Sequence, residues 1–156
     1  MSMLLLIGCG DRSASGDATR SLKTALQNLN AMGLEFHQKT MSSGGTGNGF
    51  AYEVVGELVS TNGSPLPPEL AKKIADIVGA DLGKQGCVIT GGGQGGGIHY
   101  TSSSQVRNAN IERASVDYSL HGAGGIVEVL VIERDYMPDP NTKVVGQLVI
   151  SLNQSK

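Results

Sequence analysis

Arg113-Ala114-Ser115-Val116-Asp117-Tyr118-Ser119-Leu120-His121 decides the fold. Ala114, Val116, Tyr118 and Leu120 alternate with Arg113, Ser115, Asp117, Ser119 and His121. Strict period two marks a half-buried strand with one wet face. Gly122-Ala123-Gly124-Gly125 follows as a turn and leads into a second strand, Ile126–Arg134. After a Pro-containing loop, Asp135 to Thr142, Val144–Leu152 is expected to close the sheet. Short Gly-rich links between successive strands favour antiparallel hairpins over parallel crossovers.

Upstream of this hairpin the period changes. Leu22, Ala25, Leu26, Leu29 and Met32 recur at three- and four-residue steps, which predicts a helix over Asp17–Met32, capped by Asp17 and ended by Gly33. Leu70, Ile74, Ile77 and Val78 predict a second helix over Pro67–Val78, with the prolines in its first turn and Gly79 at its end. Leu34–Ser42 and Phe50–Ser60 read as strands joined by the Gly-rich stretch 43–49. The expected architecture is α+β: an antiparallel sheet with two main helices packed on one face. Leu22, Leu26, Leu29, Ile74, Ile77, Val116, Tyr118 and Leu120 are the expected core. The 156 residues are expected to comprise one domain, 17–156, and a signal-like segment and tether, 1–16.

Composition narrows the function classes. Charged residues make up 17% of the chain, the net charge is −2, and Lys and Arg are scattered. A nucleic-acid binder would carry a basic stripe, so no nucleic-acid partner is expected. The apolar run Met3–Ile7 is far shorter than the roughly 20 residues of a membrane span.

Leu6-Ile7-Gly8-Cys9 resembles the lipobox of bacterial lipoproteins. In those proteins an apolar stretch leads to a small residue and then to the Cys that is lipidated. The resemblance implies lipidation at Cys9, a membrane anchor, and a polar tether over residues 10–16. Gly10, in place of Asp after the Cys, resembles lipoproteins sent to the outer membrane. The implied location is its periplasmic face, and the implied partners are other envelope proteins. The apolar stretch is five or six residues, against roughly 7–15 in signal peptides. The competing expectation makes Leu4–Ile7 a first buried strand and the protein cytoplasmic.

The other motifs are weaker. Gly91-Gly92-Gly93-Gln94-Gly95-Gly96-Gly97 contains a dinucleotide-type spacing after the apolar run Cys87–Ile89. That chemistry needs a helix to follow at once, so that free N–H groups meet the phosphates. Ile98-His99-Tyr100-Thr101-Ser102 is β- and turn-forming instead. The expectation is an exposed hairpin loop without secondary structure, followed by a strand from about Ile98 to Arg107. The alternative is a cytosolic small enzyme or phosphate-binding protein with Gly91, Gly92, Gly93, Gly95, Gly96 and His99 as its ligand loop and Ser102 nearby.

Gly79–Gln85 falls one residue short of a P-loop and reads as a helix exit. Asp117 and His121 lie about 13 Å apart along one strand, too far to share a proton. His37, His99 and His121 would have to meet through the fold. No metal-ligand spacing occurs, no cofactor is expected, and Cys87 reads as an inert core thiol. Glu128, among apolar neighbours, is expected on a strand covered on both faces, near an end or paired. The functional alternative is a pocket carboxylate.

Overall fold

The computed structural model describes residues 14–46, 49–99, 109–120, 122–133 and 143–155. Residues 1–13 with Cys9, 100–108, His121 and 134–142, where the Pro-containing loop is expected, lie outside them. Helix α1, Ala14–Asn28, continues into a 3₁₀ turn, Leu29–Met32. Strands β1, Leu34–Thr46, and β2, Gly49–Ser60, form a hairpin. Helix α2, Leu70–Lys84, precedes β3, Val88–His99, β4, Ala109–Leu120, β5, Ala123–Glu133, and β6, Val144–Ser155. All six strands join one antiparallel sheet in the order β1-β2-β6-β5-β4-β3. The two helices pack on each other and on one face of this sheet, so the fold is α+β.

The core lies between the helices and that face. Ala18, Leu22, Ala25 and Leu29 of α1 and its 3₁₀ turn, and Leu70, Ile74, Val78 and Leu82 of α2, are at most 1% exposed. They meet Val54 and Leu58 of β2, Leu148, Ile150 and Leu152 of β6, Val127, Val129 and Val131 of β5, and Val116, Tyr118 and Leu120 of β4. Six of the eight expected core residues are buried, while Leu26 and Ile77 are partly buried at its margin. Between the helices, Ser21 donates to Asp81 at 2.6 Å, and the Gln85 amide donates to both at 2.7 and 2.6 Å. These bonds keep a fully buried hydroxyl satisfied.

The helix boundaries differ from those the sequence predicts. The first helix starts at Ala14, three residues before Asp17, so the last residues of the expected tether are already helical. The second begins after Pro67-Pro68, at Leu70, and runs through Gly79 to Lys84. Its amino end is capped from outside. Glu112 of β4 accepts the Glu69 and Ala71 N–H groups at 3.0 and 3.4 Å, which places a carboxylate at the positive end of the helix. Gly79 is no terminator: it has a helical backbone, and a Cβ there would make ordinary contact with Val116. The left-handed turn comes later, at Gly86 (φ 93°). The stretch 79–85 is therefore mostly helix, which removes the P-loop-like reading.

The Gly91–Gly97 loop is also corrected. It is the middle of β3, in continuous register with β4 from Gly91↔Asp117 to His99↔Ala109. Glycine has no side-chain pattern to announce a strand, and the ladder offered by β4 supplies what propensity lacks. The run Cys87–Ile89 is buried only at Cys87, since Val88 and Ile89 are 62% and 43% exposed.

Candidate binding surface on the open sheet face

Every second residue of the sheet points away from the helices. The pairing registers arrange these residues in rows that cross all six strands. One row is Ser42, Glu53, Ser151, Glu128, Ser115 and Gly93, from β1 through to β3. The next is Thr40, Val55, Val149, Leu130, Arg113 and Gly95, and on the other side stand Gly44, Ala51, Asn153, Ile126, Asp117 and Gly91. Neighbours in a row are about 4.8 Å apart, so Glu53 and Glu128 flank Ser151 with their Cα atoms roughly 9.6 Å apart. Ser151 donates to Glu53 at 3.3 Å.

Side-chain length shapes this surface. Glu53, Glu128, Arg113, Leu130 and Val149 rise around a floor of Ser115, Ser151, Gly93 and Gly95, enclosing a hollow of about 510 Å³. A second hollow, about 430 Å³, continues past Glu53 and Ser151 over Ser42, Gly44 and Ala51. Together they form a shallow trough along the Ser–Glu row. Its margins are apolar: Val55, Val149, Leu130, Ile126 and Ile132 are half-buried, not covered by either helix.

Glu128 is therefore exposed at mid-strand on an open face, not on a strand covered twice. The open face accounts for both halves of the local pattern: Val127, Val129 and Val131 enter the core, while Ile126, Leu130 and Ile132 make the apolar patch. Ser115 and Asp117 stand on the same face, as alternation predicts.

The residues of the alternative ligand loop fall on β3. Gly91, Gly92, Gly93, Gly95 and Gly96 lie in an extended edge strand that continues to His99, so no helix amino end follows the glycines. His37 and His99 sit on opposite edge strands, five strand spacings apart, or roughly 24 Å. His37 lies beside Glu35 at 3.2 Å. Among the described residues no cluster of three metal-ligating side chains occurs, and no helix is long and apolar enough to cross a membrane. Comparisons with protein-family models, curated proteins and solved structures find no match to this chain.

The Ser–Glu row is the feature that sequence reasoning misses. Its six members come from six strands scattered between residues 42 and 151, and only register brings them into line. The available signal is the alternation itself, which places Glu53, Ser115, Glu128 and Ser151 on the wet face of each strand.

Proposed function

We propose that this protein is a lipid-anchored bacterial envelope protein acting as a binding or assembly module. In this reading Cys9 holds it at the periplasmic face of the outer membrane, and the open sheet face engages other envelope proteins. The observation that carries the binding role is the trough: an acidic, hydroxyl-lined row beside half-buried Val55, Val149 and Leu130, left uncovered by both helices. A polar stripe next to an apolar one suits a protein surface that presents basic and aliphatic side chains together. The anchor rests on Leu6-Ile7-Gly8-Cys9. One acyl chain binds membranes marginally and several anchor stably.

The test is the intact mass of the native protein extracted from membranes. The mass of a chain beginning at a lipidated Cys9 is expected, with Cys9→Ser releasing a folded protein into the soluble fraction. An unmodified chain that fractionates alike with and without Cys9 refutes the anchor. For the face, Glu53→Arg with Glu128→Arg should abolish cross-linking of envelope proteins to a photoreactive residue at Ser115 while leaving the thermal midpoint unchanged. Undiminished cross-linking refutes the trough as the contact.

A further inference from the structure

The two edges of the sheet are built differently. Strand β1 carries Lys39, paired with Glu57 at 2.8 Å, and a bulge between Gln38 and Thr40. Bulges and lysines are the usual means of keeping an edge from pairing. Strand β3 has its one register shift near its start, between Ile89 and Gly91; from Gly91 to His99 its register with β4 is unbroken, and Val88–His99 contains no Lys, Arg, Asp, Glu or Pro. Among the described residues no strand pairs with its outer side. An edge of unsatisfied N–H and C=O groups is chemically specific, because its complement is another extended backbone. Beside it, a hollow of about 600 Å³ lies between Lys72, Ala75, Asp76 and Gly79 of α2 and Ile89 and Gly92 of β3, so the helix does not close over the edge strand.

We propose that β3 pairs antiparallel with β3 of a second copy about a two-fold axis through Gly93, joining two sheets into one of twelve strands. Charge selects both the occupant and the register. On the open face Asp117 shares a row with Gly91, and Arg113 shares one with Gly95. An axis through Gly93 sets Gly91 against the second copy's Gly95, so each Asp117 shares a row with an Arg113 across two bare glycines. Their Cα atoms are three strand spacings apart, about 14 Å. Side chains leaning across the glycine strip bring the charges within the Debye length of about 8 Å. An axis through Gly91 or Gly95 would instead align Asp117 with Asp117 or Arg113 with Arg113. The contact is isologous and closes as a dimer. It holds whether or not Cys9 is lipidated.

Sedimentation equilibrium of the full chain should give twice the single-chain mass at submillimolar concentration. Arg113→Asp and Asp117→Arg should each shift the protein toward monomer, and the double exchange should restore the dimer. In a Cys9→Ser background, Gly93→Cys should form an intermolecular disulfide about tenfold faster, or more, than Gly45→Cys on the opposite edge. At the axis the two introduced thiols face each other across one strand spacing, within disulfide reach. A single-chain mass throughout the range overturns the proposal, as do equal cross-linking rates at the two edges. Gly93 is exposed, and a Cβ there makes only ordinary contact with Ser115, so the variant keeps the fold.

Discussion

The Tyr118 ring occupies the place where a side chain on Gly125, its cross-strand partner, would begin. Its hydroxyl donates to the side-chain oxygen of Gln154, whose amide donates in turn to the carbonyls of Gly124 and Ser155 at 3.1 Å. One aromatic side chain thus covers a bare stretch of β5 and ties β4 to β6. Gly125→Ala should cost about 1–3 kcal/mol in urea denaturation, because the added methyl displaces a fully buried ring. Gly95→Ala, where a Cβ meets nothing within 4 Å, should be neutral or stabilising by about 0.4–1 kcal/mol. Equal losses at the two positions would show that the ring is free to move.

Glu112 supplies from β4 the cap that the sequence of α2 lacks. Glu69 takes a left-handed conformation (φ 57°) and makes no capping bond through its own side chain. Glu112→Ala should therefore lower stability by about 0.5–2 kcal/mol, the usual range for removing an amino-terminal cap. Hydrogen exchange should quicken first at Glu69 and Ala71, the two amides left without an acceptor. An unchanged exchange pattern would remove Glu112 from the account of how this helix begins.

Val116 and Ser115 are neighbours on opposite sides of the sheet. Val116 is 6% exposed beneath α2, and Ser115 lines the trough. Val116→Ala should cost about 1–3 kcal/mol through lost burial and a partly collapsed cavity. Ser115→Ala should leave the denaturation midpoint nearly unmoved. Similar midpoints for the two variants would contradict the assigned faces of β4.

Alkaline titration offers a fourth test. Burial holds the Tyr52 phenol above its ordinary value of 10.0. Because the folded-state pKa exceeds the unfolded one, the stabilisation from this proton is complete below about pH 10 and is lost as pH rises through the folded pKa. The stability difference between the native chain and Tyr52→Phe should be flat below that pH and fall above it. A difference that stays flat to pH 12 would place Tyr52 in contact with water.

The parts of this fold that were legible in the sequence are those where side chains carry the period. Ala114 to Leu120 announces a strand because its apolar residues alternate, and Leu22, Ala25 and Leu29 announce a helix because theirs recur by threes and fours. Two of the failures fall where glycine removes the signal. Gly91–Gly97 has no faces to read, so the strand exists only through its ladder with β4. Gly79 resembles a helix stop because the Val116 that packs beside it is far away in sequence. The trough was partly legible: alternation put Ser115 on the wet face, but its alignment with Ser42 and Glu53 depends on bulges and registers that no single strand encodes.

The last of the described strands is not at the margin of the sheet. β6 lies between β2 and β5, and among the described residues it alone joins the β1–β2 hairpin to the β5-β4-β3 meander. During synthesis the two halves can each form local pairs. They cannot share a core until Val144–Ser155 has emerged, because Leu148, Ile150 and Leu152 supply its centre. A chain interrupted before residue 144 would display two further sheet edges, on β2 and β5, and two helices with apolar stripes, with no central strand to receive them. Assembly of the shared core thus waits on residues 144–155.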